Sequence, residues 1–387
     1  MKRLYIDGLG LVDGHFSGIG QYILGILKGM DELLDDASSN SKAYPQVYVT
    51  IPRDKVRRFE SFKFKHIRYK KIPIPFRYTA KLWHHGLMPP LDLFCGPGTY
   101  IFPRFVDMPL LFSKNAGLVI FDLSYELHRQ YSDEGNARFL SSRVRRSVRR
   151  TKHVITISEN AKKEICNFYN LPENDVSVAT PAVDQSYLYR RSPEEIATIK
   201  AKYGIVAKNY ILALSNLEPR KNLQALVYAY CSLSAKQRKD MALLLVGVNG
   251  WKADALFDEI RQKVKDGYEI IRPSEYVSDK DKPAIISGAS LLVYPSHYEG
   301  FGMPPLEALA CGVPVITADN SSLPEVVQGV GKMVDVTEND KLATVLDTTL
   351  KDIRKVQADA IHMGPKRAEN FSWKKSAQIF FDIARNA

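Results

Sequence analysis

Residues 296–317, SHYEGFGMPPLEALACGVPVIT, carry two glutamates, Glu299 and Glu307, on either side of a run with two glycines and two adjacent prolines. A continuous helix cannot include both glutamates, because glycine and proline interrupt regular structure. The apolar run before them, ASLLVY at 289–294, predicts a short buried strand. A helix is expected to begin near Pro305, since proline is tolerated at the first helical position. Glu299 is therefore predicted in a loop at the carboxyl end of a strand, and Glu307 in the first turn of the next helix.

This loop and helix start are predicted to form a polar cup. The first turn of a helix exposes backbone N–H groups and the positive end of the helix dipole. Gly300 and Gly302 would let backbone N–H groups approach a ligand where a side chain would obstruct them. In the alternative interpretation, Glu307 only complements the helix dipole and Glu299 is solvated, but that leaves the glycine spacing unexplained.

Short apolar runs alternate with helical patterns along the chain, which predicts doubly wound α/β layers. The predicted strands are 3–9, 46–51, 91–96, 117–123, 153–158, 210–217, 242–248, 268–273, 289–296 and 314–319. Two half-chains of this type indicate two Rossmann-like domains that face each other across a cleft, with ligands at the carboxyl ends of the strands. The domains are predicted at 1–185 and 186–370, followed by an amphipathic helix at 371–387 that crosses back to the first domain.

Length and composition describe a globular protein with room for two cores: 387 residues, 45% of them hydrophobic and 25% charged. Early aspartates interrupt the first apolar residues, so neither a signal peptide nor a membrane span is predicted, and a cytoplasmic location is expected. Four scattered cysteines favour reduced thiols over disulfides or a zinc site. The chain lacks G-x-G-x-x-G and P-loop motifs, which argues against nicotinamide and P-loop enzymes.

Positive charge is concentrated in the first half of the chain, where residues 1–189 hold 27 lysines and arginines against 19 acidic residues. Two stretches contribute most of it, 53–71 and 138–152. Both stretches are compatible with an ordinary solvated surface. The more specific alternative is that they bind an anionic partner, either membrane headgroups or nucleic acid. In the first stretch aromatic residues alternate with the charges, as in an interfacial segment and also in RNA-binding folds; they are Phe59, Phe62, Phe64 and Tyr69.

Three further segments contain candidate binding residues. SNLEPRKN at 215–222 follows a strand, so Arg220 could bind two diphosphate oxygens and Lys221 could add a point charge. HFSGIGQY at 15–22 is a glycine-containing loop that leads into a helix N-terminus, where an anion can bind. In FDLSYELH at 121–128, Asp122 could bond a sugar hydroxyl or cap the following turn. Each of these residues could also be an ordinary surface or turn residue.

Together these segments resemble the retaining glycosyltransferases of family four, which have the GT-B fold. The most specific part is E-x7-E within PSHYEGFGMPPLEALACGVPVI, continued by SSLPEVV; LSNLEPRKN, LLLVGVNGW, VITISENAKKEI and SGIGQY support it. The resemblance covers nearly the whole chain. Within the family, the pattern is most similar to bacterial mannosyltransferases and glucosyltransferases that build surface polysaccharides.

The resemblance implies a role for each matching residue. Arg220 and Lys221 would neutralise the donor diphosphate, Glu307 would bond the ribose, and Glu299 the donor sugar. The other implied donor-binding residues are Gly18, Gly20, Ser215, Tyr276, Val277, Phe301, Gly302 and Met303. The implied catalytic residues are Glu299, Asp122, Arg220 and Lys221. The family usually has histidine where this chain has Phe121, which affects the donor contact and any catalytic role nearby.

The activity implied by the resemblance is transfer of a hexose, with retention, from GDP-mannose or a UDP-hexose to a hydroxyl of a glycan or lipid-linked acceptor. Neither a metal nor a cofactor is expected, because the cations and helix N-termini would stabilise the leaving diphosphate. Nucleic acid is not an expected partner, whereas peripheral binding at the inner face of the membrane is. The alternatives are a catalytically inactive GT-B-type binding protein and a sugar-nucleotide epimerase.

Overall fold

A computed structural model describes residues 2–13, 17–40 and 44–385. The chain forms two compact units. The first comprises Met1–Pro181 together with Ser372–Ala387, and the second comprises Ala182–Phe371. The division thus lies at residue 181, where the sequence placed it at 185.

The first unit is built on a seven-stranded parallel sheet of order β3-β2-β1-β4-β5-β6-β7. The strands β4 and β5 are buried along their whole length, as expected for a parallel sheet covered on both faces. The strands are β1 (Arg3–Asp7), β2 (Gln46–Pro52), β3 (Arg68–Ile72), β4 (Thr99–Phe102), β5 (Ala116–Val119), β6 (His153–Thr156) and β7 (Val176–Val178).

The second unit contains a six-stranded parallel sheet of order β10-β9-β8-β11-β12-β13. Its strands are β8 (Asn209–Leu214), β9 (Met241–Val246), β10 (Ile270–Ile271), β11 (Leu291–Tyr294), β12 (Val315–Ala318) and β13 (Lys332–Val334). In each sheet the chain order reverses beside the first strand, between β1 and β4 and between β8 and β11. Ligands of doubly wound sheets bind at such switch points.

Helices connect the strands in both units. In the first unit they are α1 (Leu9–Val12), α2 (Gly18–Asn40), α3 (Val56–Glu60), α4 (Phe76–His85), α5 (Asp92–Cys95), α6 (Ser124–Leu127), α7 (Glu134–Arg150) and α8 (Glu159–Tyr169). In the second they are α9 (Pro193–Lys202), α10 (Leu223–Cys231), α11 (Ala235–Arg238), α12 (Asp254–Lys265), α13 (Lys282–Ser287), α14 (Met303–Ala310), α15 (Leu323–Val327), α16 (Asn339–Lys351) and α17 (Ile353–Ala368). The helix α18 (Trp373–Arg385) belongs to the first unit.

The last helix packs closely against α2. Gly25 and Gly29 of α2 face Trp373, and a Cβ atom at either position would overlap it. The absence of side chains at these two positions therefore lets the two helices approach each other.

Most predicted strands coincide with observed strands, but the strand predicted at 91–96 is wrong. This segment contains α5, whose buried Asp92 accepts hydrogen bonds from the backbone N–H groups of Leu111, Phe112 and Ser113 at 2.7–2.8 Å. A short apolar run is compatible with either a strand or a helical turn. The buried carboxylate of Asp92 binds the loop at 111–113 and takes no part in a sheet.

The aromatic residues of the basic stretch 53–71 pack against one another. Phe59 is buried, and its ring lies 5.7 Å from that of Phe64 and 5.8 Å from that of Tyr69. The interfacial interpretation of these aromatics is therefore not supported, because they do not form an exposed apolar face. Among the described residues, no helix combines the length and the apolar character that spanning a membrane requires.

Candidate functional site

The predicted E-x7-E and Arg-Lys segments meet at the switch point of the second sheet. Residues 215–222 follow β8 and residues 295–302 follow β11, and these two strands are neighbours. The backbone joins the segments, since the N–H of His297 donates to the carbonyl of Arg220 at 2.9 Å. Two loops that are distant in sequence are thus held together at the carboxyl ends of adjacent strands.

Glu299 lies at the centre of this cluster. Its side chain is 9% exposed, and its two oxygens accept from different cations. Oε1 accepts from Nζ of Lys221 at 2.5 Å, and Oε2 accepts from Nη1 of Arg220 at 3.0 Å. The carboxylate therefore orients both cations at once.

Both cations have further partners. Arg220 donates to the carbonyl oxygen of Tyr298 at 2.8 Å and to Oε1 of Glu218 at 2.8 Å. Lys221, with a side chain 9% exposed, donates to the hydroxyl of Tyr294 at 2.9 Å. The cluster contains two carboxylates and two cations, so its formal charges balance.

The environment keeps Glu299 ionised. Burial by itself would raise the pKa of Glu299, but the charges of Lys221 and Arg220 outweigh it and lower the pKa to about 2. A carboxylate of such low basicity remains charged at neutral pH. It can accept hydrogen bonds, but it cannot serve as a general acid.

The loop that carries Glu299 is held by two serines and a glycine. Oγ of Ser321 accepts from the N–H of Glu299 at 3.0 Å, and Oγ of Ser322 donates to the carbonyl of Glu299 at 2.8 Å. Gly302 precedes α14 with φ of 116°, a conformation that favours glycine, and a Cβ there would lie 2.7 Å from Leu323. These contacts turn the chain sharply from the loop into the helix, as predicted.

The prediction that Glu307 lies in the first turn of the helix is wrong, because α14 begins at Met303 and Glu307 follows after one full turn. Its environment differs from that of Glu299. Burial raises the pKa of Glu307 to about 7, with Lys282 opposing the increase and Asp279 adding to it. Lys282 donates to Oδ1 of Asp279 at 2.5 Å and lies 5.7 Å from the ring of Tyr276. Glu307 therefore changes charge near neutral pH, whereas Glu299 does not.

The remaining donor-binding predictions in the second unit fall around this edge. Tyr276 is 61% exposed, whereas its neighbour Val277 is buried. Ser215 directly follows β8, and its N–H donates to the carbonyl of Val246 at 3.0 Å. Phe301 is buried against Phe371, with ring centroids 5.4 Å apart, so only its backbone could contact a ligand. Met303 is the first residue of α14.

The other predicted residues belong to the first unit. Gly18 begins α2, with open space where a Cβ would stand, and Gly20 follows two residues later. His15 and Phe16 of the same predicted motif lie outside the described residues. Asp122 accepts from the N–H of Ser124 at 2.8 Å, so it caps the following turn. This is one of the two roles that the sequence left open for Asp122; the other is a bond to a sugar hydroxyl.

Sequence reasoning missed several residues of the site. Glu218 holds Arg220, Tyr294 accepts from Lys221, and Lys282 lies near Glu307. Glu218 stands within the quoted motif, but only the fold reveals that it pairs with Arg220. In the described part of the chain, no cluster of three or more His, Cys, Asp or Glu residues could hold a metal ion.

One known protein family matches a segment of the second unit. Residues 195–367 match the protein family described as Glycosyl transferases group 1. The matched residues lie within the second unit. Glu299, Glu307, Arg220 and Lys221 all lie within the matched residues.

Two proteins of Escherichia coli are similar in sequence. O-antigen chain mannosyltransferase B is 33% identical over 253 residues, which cover 65% of this chain and 65% of that protein. Serotype-specific mannosyltransferase WbdA is 29% identical over 241 residues, which cover 60% of this chain and 28% of that protein. The chain thus spans just under two thirds of the first relative and less than a third of the second.

Solved structures share the fold over the whole chain. Anabaena HepE, crystallised in complex with UDP and glucose, matches with a TM-score of 0.69 at 16% identity, covering 100% of both chains. WaaG, described as a glycosyltransferase involved in lipopolysaccharide biosynthesis, matches with a TM-score of 0.65 at 15% identity, again covering 100% of both. The predicted α/β fold of the GT-B type, with two Rossmann-like domains, is confirmed.

Proposed function

We propose that the protein is a retaining glycosyltransferase that moves a hexose from GDP-mannose or a UDP-hexose to a hydroxyl of a glycan or lipid-linked acceptor in surface polysaccharide assembly. The observation that carries the proposal is the Glu299–Arg220–Lys221 cluster at the switch point of the group 1 domain. The names of the two relatives favour mannose as the sugar.

The cluster suits the electrostatic demand of this reaction. When the bond from the sugar to the diphosphate breaks, negative charge grows on the leaving phosphate and must be stabilised. Arg220 and Lys221 are held in place before any ligand arrives, so little reorganisation is needed in the transition state. Their charges are balanced by Glu218 and Glu299, and we expect the incoming diphosphate to compete with these carboxylates for the N–H groups.

Glu299 is proposed to position the donor sugar and the two cations rather than to attack the sugar. Both of its oxygens accept from cations, and the low pKa marks it as a weak base and a weak nucleophile. A front-face reaction, in which the donor phosphate takes the proton of the acceptor hydroxyl, requires no protein nucleophile. Asp122 and Gly18, in the first unit, are proposed to contact the reacting groups, and no metal is needed in this scheme.

A panel of nucleotide sugars tests the proposal directly. The preferred donor is expected to raise the melting temperature, because a ligand that binds only the folded state stabilises it. With an acceptor present, NMR of the product should show the anomeric configuration of the donor. A donor that binds but is not consumed would identify an inactive binding protein. Release of an altered sugar in the absence of an acceptor would identify an epimerase. An inverted product would contradict retention alone.

We also propose that the first unit binds an anionic membrane surface. Five arginines of α7 are exposed: Arg138, Arg145, Arg146, Arg149 and Arg150. Each cation near an anionic leaflet contributes about 1 kcal/mol to membrane binding. The protein should sediment with anionic vesicles at low salt, and a variant with Arg145→Gln and Arg149→Gln should sediment less. If the protein sediments equally with anionic and with neutral vesicles, the membrane proposal is contradicted and the transferase proposal is unaffected.

A further inference from the structure

The ammonium group of Lys221 is held by two acceptors, only one of which is a carboxylate. Its Nζ donates to Oε1 of Glu299 at 2.5 Å and to the hydroxyl oxygen of Tyr294 at 2.9 Å. A lysine ammonium has three N–H donors. Because these three point in tetrahedral directions, the two bonds define where the third N–H points. The Lys221 side chain keeps 9% of its surface exposed, so the third N–H can serve a ligand.

The two cations of the cluster differ in how much support they need. Arg220 has a planar guanidinium whose N–H groups are fixed relative to one another, and it donates to Glu218, Glu299 and a backbone carbonyl. Lys221 carries its charge on a flexible four-carbon chain. A bond to Glu299 alone would let the ammonium turn about that single contact, and the second acceptor removes this freedom.

Tyr294 is suited to this role because its own position is fixed. It is the last residue of β11, it pairs with Thr317 of β12, and it is 4% exposed. The centroid of its ring lies 5.1 Å from Nζ of Lys221. A ring packed this closely keeps one orientation, so its hydroxyl is a fixed point at the carboxyl end of the strand.

The hydroxyl of Tyr294 stays protonated beside these charges. Burial raises the pKa of Tyr294 well above its ordinary value, and the negative charge of Glu299 adds to the increase. A neutral phenol has one proton to donate and lone pairs that accept. Its oxygen therefore accepts from Lys221 while its own proton bonds Glu299. The three side chains close a triangle of hydrogen bonds.

We propose that Tyr294 is a positioning residue of the diphosphate site, whose hydroxyl, together with Glu299, aims the third N–H of Lys221 at a phosphate oxygen. The assignment rests on the proposed function for the identity of the ligand, a nucleoside diphosphate. Tyr294 acts through Lys221 and needs no contact with the ligand, which agrees with its burial. Without the hydroxyl, Lys221 has Glu299 as its one acceptor, and its other two N–H groups lose their direction.

Tyr210 provides a matched control for Tyr294. It lies on the neighbouring strand β8, is fully buried and donates to the carbonyl of Ile285 at 2.6 Å. That bond joins β8 to α13 and involves no charged side chain, whereas the hydroxyl of Tyr294 bonds two charged side chains of the site. Replacing either tyrosine by phenylalanine removes one buried hydroxyl and keeps the ring.

The test measures the affinity of the full-length protein for GDP and for UDP by isothermal titration calorimetry, with each nucleotide titrated separately. Tyr294→Phe should bind the nucleotide that the wild type prefers about tenfold more weakly, the effect of one hydrogen bond to a charged group. Tyr210→Phe should bind it as tightly as the wild type. Equal weakening in both variants would show that any lost hydroxyl has this effect and would overturn the positioning role.

A double-mutant cycle tests whether Tyr294 acts through Lys221. Lys221→Gln should itself weaken binding, and in that background Tyr294→Phe should cause no further loss, because the two residues act as one unit. The same loss with and without Lys221 would overturn the proposal. Near-UV circular dichroism checks folding. If Lys221→Gln does not fold, the comparison of Tyr294→Phe with Tyr210→Phe still decides.

Failure of the proposed function would give a different result. A wild type that binds neither GDP nor UDP would contradict a diphosphate site at the cluster, and the positioning role with it. If the wild type binds one of them and Tyr294→Phe binds it equally well, the positioning role alone is overturned.

Discussion

The two units place a charged pair at the same position of the same kind of sheet, yet the two edges have different chemistry. In the first unit this is a single pair, Arg104 with Asp7. In the second unit Glu299 bonds two cations, Arg220 and Lys221, and a second glutamate, Glu218, bonds the arginine. Both clusters stand where the strand order reverses.

The difference shows that the sheet supplies the position and the loops supply the specificity. A parallel sheet opens a crevice where its connections diverge, whatever residues line it.

The largest expected effect comes from removing the central carboxylate of the second unit. Glu299→Gln leaves two buried cations with one remaining carboxylate, and breaking such a buried pair typically costs about 3–5 kcal/mol. Chemical denaturation should show this decrease in the free energy of unfolding. The exposed pair of Glu338 with Lys341 is the control, since Glu338→Gln should change stability by less than about 1 kcal/mol.

The corresponding change in the first unit sharpens the comparison. Asp7→Asn removes the charge of one carboxylate and strands one cation instead of two. It should therefore cost less stability than Glu299→Gln in the same denaturation experiment. If Asp7→Asn is the more damaging variant, the first edge depends on charge as much as the second, and the contrast between them fails.

Kinetics should separate the two arginines. Arg220→Ala removes a donor that is proposed to stabilise the leaving group, so kcat should fall by about 10²–10³-fold. Arg104→Lys keeps the charge beside Asp7 and should leave kcat close to that of the wild type. Arg261, an exposed arginine of α12, is the control for Arg220, and Arg261→Ala should keep wild-type kinetics. A large decrease in kcat from Arg104→Lys would contradict this difference between the two arginines.

The two glutamates of E-x7-E should differ in their response to pH. The folded-state pKa of Glu307 is raised to about 7 from an ordinary value of 4.5. Native protein therefore holds this proton more tightly than unfolded chain, a stabilisation that is complete below pH 4.5 and lost as pH rises through 7. The free energy of unfolding of the wild type minus that of Glu307→Gln should fall by up to about 3 kcal/mol between these limits.

Denaturation at several pH values checks this expectation, and only the difference between the two proteins matters because other carboxylates titrate in both. Glu299 provides the opposite sign. Its pKa is lowered to about 2, so its stabilising contribution is present above the ordinary value of 4.5 and is lost as pH falls toward 2. A difference for Glu307→Gln that stays flat would mean that folding leaves the pKa of Glu307 at its ordinary value.

The smallest effect concerns the turn between them. Gly302→Ala should cost about 1–3 kcal/mol, because it adds backbone strain and its Cβ would meet Leu323. Gly204 has φ of 67° with open space around it, so Gly204→Ala isolates the strain without the overlap. Thermal unfolding should rank Gly302→Ala as the more destabilised. Equal losses would show that Leu323 moves aside.

Local pattern was enough to predict the breaks around Glu299. Gly302 adopts a φ that favours glycine, and the two prolines after it are tolerated only in the first turn of a helix, so the end of the strand and a nearby helix start follow from residue chemistry alone. The helix begins at Met303, two residues before the predicted Pro305. The alternation of apolar runs likewise predicted the two α/β units. The segment 91–96 shows where such patterns mislead, because a short apolar run does not distinguish a strand from a helical turn.

By itself the sequence determined which segments are strands or helices and which loops carry charge, since periodicity and backbone restrictions act over a few residues. Only the tertiary structure decided which charges meet. Arg104 pairs with a carboxylate 97 positions away, and Lys221 with one 78 positions away. Such partners are chosen by which strands end side by side. At the buried edge of the second unit, the charges of Lys221 and Arg220 then lower the pKa of Glu299.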